Sequence, residues 1–312
     1  MEEKRYQYYL DDDHYLLSYV HDVYSYRYHW HDDMYELHII LTGSMEFVRE
    51  GKKYRLKPDD VIIVSPGMGH ATFALEPQTA TLVLRFSANA FEEFLQKDYS
   101  CRFDFVSDAT DRQMVRYTHV RFYCALLLQA LAADDLFSGK IVRHAFGLLL
   151  VTLYTSFEAE RNDIYQPKNR NIPDRLIQDV IQYIDDNYTK KISLGELTEQ
   201  FNYNRTYIST FFKKNVGMKF YDYLTRTRFS AAVWDLTTTD LSLTKIALYN
   251  GFPDLKTFNR LFQEMFHLTP AEYRQKLAIT MTELPHEYWN VKELSEPNIK
   301  SKLDEYIGRV NV

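Results

Sequence analysis

Two stretches of this sequence carry side chains suited to contacting the base edges and phosphates of nucleic acid. Arginine pairs with guanine, asparagine with adenine, hydroxyls with either base, and lysine with the phosphate backbone. The first stretch offers Arg205, Thr206, Ser209, Thr210 and Lys213, and the second offers Lys256, Thr257, Asn259, Arg260 and Gln263. In each stretch they alternate with apolar residues at helical spacing, which predicts that they share one helix face. The alternative is that both faces are simply solvated.

The two stretches belong to a unit that occurs twice, in residues 192–223 and 241–273. Each copy reads as a helix with an apolar face, a polar turn, and a second helix with its own apolar face, which is the pattern of a helix-turn-helix. In the first copy Ser193 and Glu196 predict a capping box, and Asn204 predicts the cap of the second helix. Duplication argues against the solvated-face alternative, because helical hairpins are common but repeated ones are not.

Apolar residues and a spacer complete this arrangement. The predicted inward residues are Ile208, Phe211, Phe212 and Val216 in the first unit, and Phe258, Leu261, Phe262 and Met265 in the second. Gly217 is expected to end its helix in the left-handed conformation. The helix predicted over 220–235 is roughly 22 Å long at about 1.5 Å per residue. A rigid spacer of that length suits two recognition helices in successive major-groove faces, which lie about 34 Å apart.

Further landmarks carry a family resemblance. They are Leu194-x-x-Leu197, Tyr207-Ile208-Ser209, Phe212-Lys213, Gly217, Phe220-x-x-Tyr223-Leu224, Arg228-x-x-x-Ala232, Ile246-Ala247, Gly251-Phe252, Phe258-x-Arg260-x-Phe262 and Thr269-Pro270-x-x-Tyr273-Arg274. With these, residues 175–277 resemble the paired helix-turn-helix domain of the AraC/XylS family of bacterial transcription regulators. The resemblance implies base contacts by Thr206, Ser209 and Thr210 in one groove, and by Lys256, Thr257, Asn259 and Arg260 in the next.

The N-terminal part has a shorter, alternating pattern that predicts a sandwich or small β-barrel. The strand-like runs are 37–41, 45–48, 54–56, 61–64 and 81–86, separated by turn signals rich in glycine, proline and aspartate. Alternation predicts that Glu36, His38 and Ile40 share one face of a strand. Leu37, Ile39 and Leu41 then lie on the other face, under the helices that follow.

Histidines in this part match a second pattern. His29-x-His31-x4-Glu36-x6-Gly43 resembles the first cupin motif, and Asp60-x5-Pro66 followed by His70 resembles the second, one residue short. In enzymatic cupins such a set binds a divalent metal, so on that analogy the ligand candidates are His29, His31, Glu36 and His70. Three readings stay open: metal binding, contact with a small-molecule effector, and packing. Effector contact is preferred, without metal or cofactor, and the effector-binding candidates are His29, Trp30, His31, Glu36, His38 and His70.

Aromatic residues make up 15% of the chain, and several crowd the first strands: Tyr19, Tyr24, Tyr26, Tyr28, Trp30 and Tyr35. Aromatic faces beside carboxylate and imidazole suit a carbohydrate, whose C–H face stacks and whose hydroxyls form hydrogen bonds. The alternative is that tyrosine simply suits exposed strands. A sugar effector is therefore one hypothesis for the barrel.

The chain is thus expected to be an α+β multidomain protein. The predicted parts are a cupin-like effector-sensing β-barrel (1–89), a helical dimerisation segment (90–160), a linker (161–174), an all-α double helix-turn-helix domain (175–277) and a tail of unassigned role (278–312). The helical segment rests on apolar stretches around 114–133 and 140–158, which are broad enough to cover both their own domain and a second copy.

Composition bounds the function class. The net charge of −6 over 312 residues is unevenly distributed, since residues 175–277 carry 14 Lys+Arg against 11 Asp+Glu. The N-terminus is charged, and the apolar runs are shorter than the ~20 residues that a membrane span needs, so a cytoplasmic protein is expected. The only cysteines, Cys101 and Cys124, lack metal-site spacing and are expected to be buried free thiols.

The expected function is that of a sequence-specific DNA-binding transcription regulator that responds to a small molecule. Its expected partners are operator half-sites of double-stranded DNA, a small-molecule effector for which a carbohydrate is one hypothesis, a second copy of the chain, and RNA polymerase if it activates transcription. The alternative is a metal-dependent cupin enzyme with an appended DNA-binding domain.

Overall fold

The computed structural model of the chain describes residues 6–10, 15–22, 25–76, 78–92, 94, 99–133, 135–163, 172–277 and 294–308. A β-rich N-terminal domain precedes an all-α domain, which confirms the predicted fold class. The strands are β1 (Tyr6–Tyr9), β2 (Tyr15–Asp22), β3 (Ser25–His29), β4 (Met34–Thr42), β5 (Met45–Arg49), β6 (Lys52–Leu56), β7 (Val61–Val64), β8 (His70–Ala74), β9 (Ala80–Ser87), β10 (Tyr99–Phe103) and β11 (Ala159–Asp163). The helices are α1 (Val115–Ala133), α2 (Ser138–Ser156), α3 (Ile172–Asn187), α4 (Leu194–Phe201), α5 (Arg205–Val216), α6 (Phe220–Thr238), α7 (Leu243–Tyr249), α8 (Leu255–Phe266), α9 (Pro270–Leu277) and α10 (Pro297–Gly308).

Two antiparallel sheets form the β-rich domain. The first has the order β1-β2-β9-β4-β7, and the second has the order β3-β8-β5-β6. Their inner faces meet in an apolar cluster to which the first sheet contributes Ile40 and Ile62 and the second contributes Met45 and Phe47. The other end of the same interior is polar and holds the cavity described below.

Strand β4 shows how alternation divides the two sides of the first sheet. Its residues Leu37, Ile39 and Leu41 are buried in a cluster with residues of α1 and α2, as predicted. Glu36 and His38 point to the opposite side and line the cavity. Because the side-chain period of a strand is two, one strand supplies both the helix-covered core and the interior of the barrel.

The region between the barrel and the double helix-turn-helix domain is less helical than predicted. Strand β10 lies inside the predicted helical segment 90–160, and it pairs antiparallel with β11, Tyr99 opposite Asp163. Strand β11 occupies the first residues of the predicted linker 161–174, and α3 begins at Ile172, before that linker ends. The pairing satisfies backbone groups across more than fifty residues of sequence, which local composition does not reveal. Residues 164–171 of the linker lie outside the described part of the chain.

The outer face of the second sheet packs on the first helix-turn-helix unit. The Tyr28 amide N–H donates to the Tyr223 hydroxyl at 3.2 Å, and the Tyr28 hydroxyl donates to the Asn215 carbonyl at 2.8 Å. Arg226 of α6 pairs with Glu46 of β5 at 2.6 Å. The β-rich domain and the first helix-turn-helix unit are therefore joined by these polar contacts and by a shared apolar cluster.

Two glycines make that contact close. Gly51, in the turn between β5 and β6, and Gly217, at the end of α5, both have positive φ, 76° and 74°. A Cβ on Gly51 would lie 2.1 Å from the Lys214 carbonyl oxygen, and a Cβ on Gly217 would lie 2.4 Å from the Gly51 carbonyl oxygen. Gly217 thus ends a helix, as predicted, and also lets the two backbones approach.

Helix α10 belongs to the predicted tail of unassigned role and returns to the N-terminal domain. Ile299, Leu303 and Tyr306 are buried in the cluster that also contains α1 and α2. The Tyr306 hydroxyl donates to Asp59 at 2.8 Å, and the Lys302 ammonium lies 2.7 Å from the same carboxylate. The tail residues 278–293 lie outside the described part of the chain.

Cys101 and Cys124 are buried free cysteines, as predicted. Among the residues that the structure describes, no helix combines the length and the apolar character that a membrane span requires.

Candidate nucleic-acid interface and barrel cavity

The first helix-turn-helix unit is built by caps that its sequence specifies. Ser193 and Glu196 form the predicted capping box at the start of α4. Asn202 ends that helix with a φ of 55°, and the Asn204 side chain accepts a hydrogen bond from the Tyr207 amide at 2.9 Å. The left-handed Asn202 followed at once by a new cap produces the sharp turn between α4 and α5.

Helix α5 separates its residues as predicted. Its buried residues are Ile208, Phe211, Phe212 and Val216. Its outward candidates Arg205, Thr206, Thr210 and Lys213 are exposed, and Ser209 is half-buried. Five side chains of DNA-reading type thus lie on the helix away from the core.

Tyr207 is a candidate that the sequence interpretation missed. Its ring is 41% exposed and lies between the rings of Tyr203 at 4.8 Å and Phe211 at 5.6 Å, stacked on both. The spacing of four residues from Tyr203 to Tyr207 to Phe211 is the signal that predicts such a row. An exposed phenol held beside Thr206 adds a hydrogen-bonding group suited to a phosphate or a sugar of DNA.

The second unit repeats the arrangement with different chemistry. The Asp254 side chain caps α8 by accepting from the Thr257 amide at 2.6 Å, and His267 ends the helix with a φ of 54°. Phe258 and Phe262 are fully buried, as predicted, whereas the predicted Leu261 and Met265 are half-buried and Phe266 completes the core. The outward candidates Lys256, Asn259, Arg260 and Gln263 are exposed, and Thr257 is half-buried.

Arg260 already has a partner on its own helix. Its Nη1 lies 2.7 Å from Glu264 Oε1, one turn further along α8, and both side chains are more than half exposed. An exposed pair of this kind contributes little to stability. It does, however, place a carboxylate beside the side chain expected to read guanine.

Helix α6 joins the two units rigidly. It runs from Phe220 to Thr238, longer than predicted, and spans about 28 Å at about 1.5 Å per residue. Arg228 donates to the carbonyls of Tyr188 and Lys190 at the end of α3, and Arg274 donates to those of Leu236, Thr239 and Leu241. Arg228 therefore links α6 to the first unit, and Arg274 links the second unit to α6.

The barrel interior holds the second candidate site. Its cavity has a volume of about 60 Å³ and is lined by Tyr19, His21, His29, Glu36, His38, His70, Thr72, Thr81, Val83 and Arg85. Of the six effector candidates, four line this cavity, and His31 adjoins it through a 2.8 Å contact with Glu36. Trp30 is not brought there, because its ring packs edge-on against Tyr28 at 5.2 Å.

Glu36 lies at the centre of the polar end. His38 Nε2 lies 2.7 Å from its Oε1, whereas His31 Nε2 and Arg85 Nε lie 2.8 Å and 2.7 Å from its Oε2. Burial alone would raise the pKa of the Glu36 carboxyl, but Arg85, His31 and His38 outweigh it and hold the pKa well below its usual value. The carboxylate is therefore ionised at neutral pH.

Two of the histidines are held in one tautomer by the backbone. His29 Nδ1 lies 2.8 Å from the Arg27 carbonyl, and His70 Nδ1 lies 3.2 Å from the Met68 carbonyl. Burial lowers the pKa of both imidazoles, and their mutual proximity adds to this for His29. Since a carbonyl only accepts, each neutral ring donates from Nδ1 and keeps its Nε2 lone pair.

Arg85, Thr72 and Thr81 are cavity residues that the sequence interpretation missed. Thr81, Val83 and Arg85 are every second residue of β9, and this alternation is the sequence pattern that predicts a shared face for them. Of the aromatic residues that suggested a sugar, Tyr19 lines the cavity, while Tyr35 stacks on Phe86 among the residues packed against the helices.

Two family models match the regions that contain these candidate sites. An AraC-like ligand binding domain matches residues 13–110, and a helix-turn-helix domain matches residues 197–276. YdiP, an uncharacterised HTH-type transcriptional regulator of Escherichia coli (strain K12), is 25% identical over 253 residues, which are 80% of each chain. SACOL0084, an uncharacterised HTH-type transcriptional regulator of Staphylococcus aureus (strain COL), is 35% identical over 117 residues, which are 37% of this chain and 16% of its own length. ToxT from Vibrio cholerae O395 is a structural neighbour with a TM-score of 0.39 and 13% identity, over 86% of this chain and 99% of its own.

A β-rich ligand-binding domain joined to two capped helix-turn-helix units defines a DNA-binding regulator with a sensor domain. The two matched regions together cover more than half of the chain. The chain belongs to the AraC family of HTH-type transcriptional regulators.

Proposed function

We propose that this regulator acts in the cytoplasm and reads two adjacent DNA half-sites with α5 and α8, under the control of a ligand in the barrel. The observation that carries the proposal is the pair of capped helices whose polar faces are exposed and whose units are both fastened to α6. A spacer of about 28 Å suits helices that enter successive major-groove faces about 34 Å apart.

The two half-contacts are unequal. Helix α5 offers hydroxyls beside Arg205, whereas α8 offers Lys256, Asn259 and Arg260. Long charged and amide side chains make the more discriminating base contacts, so α8 is proposed to supply at least as much specificity as α5.

A footprint on DNA selected from a random library tests this proposal. The unchanged full-length chain should protect two blocks whose centres lie about one helical turn apart. Arg205→Ala should weaken protection of one block, and Arg260→Ala that of the other. Lys300→Ala, a loss of charge on the exposed side of α10, is the control and should protect both blocks normally. Protection of a single block, or equal loss of both blocks in each variant, would count against the tandem arrangement.

The second sheet offers a route by which a ligand could influence DNA binding. On β8, His70 and Thr72 line the cavity, while Ala71 and Phe73 lie in the cluster shared with the first helix-turn-helix unit. On β3, His29 faces the cavity and Tyr28 bonds to Tyr223 and Asn215. A ligand that moves these strands would bias the position of α5 and α6, which is the differential contact that such control requires.

A carbohydrate is the weaker effector hypothesis for this cavity. Hydroxyl and imidazole groups of Tyr19, Thr72 and His38 would suit sugar hydroxyls. A volume of about 60 Å³, however, is far below the ~300 Å³ of ordinary small-molecule pockets, so a sugar would have to widen the barrel.

Self-association is proposed to use α2. Its outer side exposes Ile141 (40%), Leu148 (51%), Val151 (43%) and Tyr154 (38%), which recur at helical spacing. A second copy that presents the same stripe would cover it, as the symmetric interface of a homodimer does.

If the protein activates transcription, contact with RNA polymerase is the remaining expected interaction. Nothing in the comparisons supports the alternative of a metal-dependent enzyme.

A further inference from the structure

Four buried or half-buried groups converge at the polar end of the barrel. The ligand atoms of His29, His31, Glu36 and His70 all lie within 4.8 Å of one another. We propose that they bind one divalent transition-metal ion, and that this ion is the ligand, or part of the ligand, to which the regulator responds. The proposal rests on the proposed function only in treating the barrel as the sensor.

The orientation of the imidazoles supports coordination over packing. The ring centroids of His29 and His70 lie 4.0 Å apart. The ring centroid of His31 lies 4.8 Å from that of His29 and 5.6 Å from that of His70. Backbone carbonyls take the Nδ1 protons of His29 and His70, so the atoms that face the cluster are lone-pair nitrogens. Carbonyls and carboxylates that bond the far nitrogen are the usual supports of metal-binding histidines.

The dimensions of the cluster fit an ion after a small adjustment. Two ligand atoms that each lie about 2.1 Å from a metal are at most about 4.2 Å apart. The observed span of 4.8 Å therefore contracts by at least about half an ångström on binding, and by more if the site is tetrahedral. Terminal side-chain rotations supply such a movement without a change of backbone.

The size of the cavity also favours an ion. Its volume of about 60 Å³ accommodates a metal with a few waters, since each water needs about 10–15 Å³ of this kind of volume. The same space is too small for a sugar-sized molecule. Three imidazoles and one carboxylate form a donor set typical of zinc, iron, nickel or copper sites, not of calcium or magnesium sites.

His38 and Arg85 are positioning residues in this arrangement. His38 bonds Oε1 of Glu36 and Arg85 bonds Oε2, so the carboxylate is held from both sides. Each carboxylate oxygen has two lone pairs; His31 and Arg85 occupy those of Oε2, whereas His38 leaves one on Oε1 for an ion. The contribution of His38 and Arg85 is to fix the direction of Glu36, not to ligate.

Cobalt(II) titration of the untagged, chelator-treated full-length chain tests the proposal. We expect one ion per chain by elemental analysis and visible absorption bands typical of nitrogen and oxygen ligation. His29→Ala and His70→Ala should each lower cobalt affinity by at least about 100-fold, and the positioning variant His38→Ala by about 10-fold. His119→Ala, on α1 and outside the cluster, is the matched control and should bind cobalt normally.

Two further measurements separate the possible outcomes. Zinc should raise the melting temperature of the unchanged chain by about 5 °C or more at saturation, and should not raise that of His70→Ala. Should the alanine variants fail to fold, which circular dichroism of the metal-free proteins reports, the cobalt spectrum of the unchanged chain decides alone. Normal DNA footprints without metal uptake would overturn the metal site and leave the regulator intact. Metal uptake without any footprint would instead overturn the proposed DNA-reading function.

Discussion

Arg260 shows how a single residue can be the right type for DNA and still be engaged elsewhere. Its pair with Glu264 is exposed, so water screens the pair and breaking it for the proposed DNA contact costs little. The side-chain type was readable from the sequence, but the pairing was not, because a glutamate four residues away is common on solvated helix faces. The caps at Ser193 and Asn204 were fully predictable, since they depend on residues three positions apart.

The pair leads to a prediction for α8. Arg260→Ala should weaken specific DNA binding by about 1–3 kcal/mol, whereas Glu264→Gln should strengthen it several-fold because the arginine is released from its partner. Gel-shift titrations of both single variants and the double variant form a mutant cycle. If Glu264 acts through Arg260, the double variant should bind like Arg260→Ala. Affinities that add independently would contradict that explanation.

Asp185 supplies a second prediction at this scale. Burial raises the pKa of this carboxyl to about 6, an effect that the cationic Arg27, 3.3 Å away, only partly offsets. With the folded pKa above the unfolded one, its contribution to stability is complete below about pH 4 and is lost as the pH rises through about 6.

Asp185→Asn should therefore stabilise the chain by about 1–2 kcal/mol at pH 7.5 and by much less at pH 4.5. Urea unfolding at the two pH values measures this, with Asp179→Asn, an exposed position on the same helix, as control. Destabilisation by Asp185→Asn at pH 7.5 would mean that the pair with Arg27 outweighs burial.

Individual secondary-structure elements followed the sequence wherever one face was apolar and the other polar. Strand β4 and helices α5 and α8 are examples, because their side-chain periods alone fix which residues are buried. Strands β10 and β11 escaped prediction, since their stability comes from pairing with each other and not from alternation. The cavity was half predictable: its histidines formed a motif, but Arg85 and Thr81 are brought beside them only by the pairing of β9 with β4.

Helix α2 leads to a prediction about assembly. Leu148→Asp places a charge in the centre of the exposed apolar stripe and should convert the proposed dimer to a monomer, because burying an unpaired carboxylate is costly. Sedimentation velocity on the full-length chain measures the change. Val115→Asp, at an equally apolar position that is 68% exposed on α1, is the matched control and should remain dimeric. A monomeric unchanged chain, or a dimer that tolerates Leu148→Asp, would contradict the proposed interface.

At the scale of the whole molecule, the last helix is part of the first domain. Tyr306 is buried and bonds to Asp59, which is 247 residues earlier in the sequence. Lys302 shares that carboxylate, and Gln129 of α1 donates to Asp304 at 3.2 Å. An amphipathic helix was predictable after Pro297, but its partner was not, because no local pattern encodes a contact at such a distance.

Tyr306→Ala should accordingly destabilise the N-terminal domain by about 3–5 kcal/mol, the usual cost of removing a large buried aromatic side chain. Hydrogen exchange should show faster opening of α1 and of the turn that contains Asp59. Lys300→Ala, on the exposed side of the same helix, should leave exchange unchanged. Faster exchange confined to α7–α9 would show that α10 supports the DNA-binding domain instead.

The packing of α10 on the N-terminal domain also affects the equilibrium by which the DNA-binding domain could separate from the second sheet. In the sequence that domain lies between β11, which pairs with β10, and α10, which packs on α1 and α2 of the N-terminal part. If its contact with the second sheet opens, the two surfaces remain at a high effective concentration, on the order of millimolar for short tethers. Re-closure is then an intramolecular event whose rate is independent of protein concentration. A ligand therefore needs to shift only a local opening equilibrium, and the response should be the same in dilute and in crowded cells.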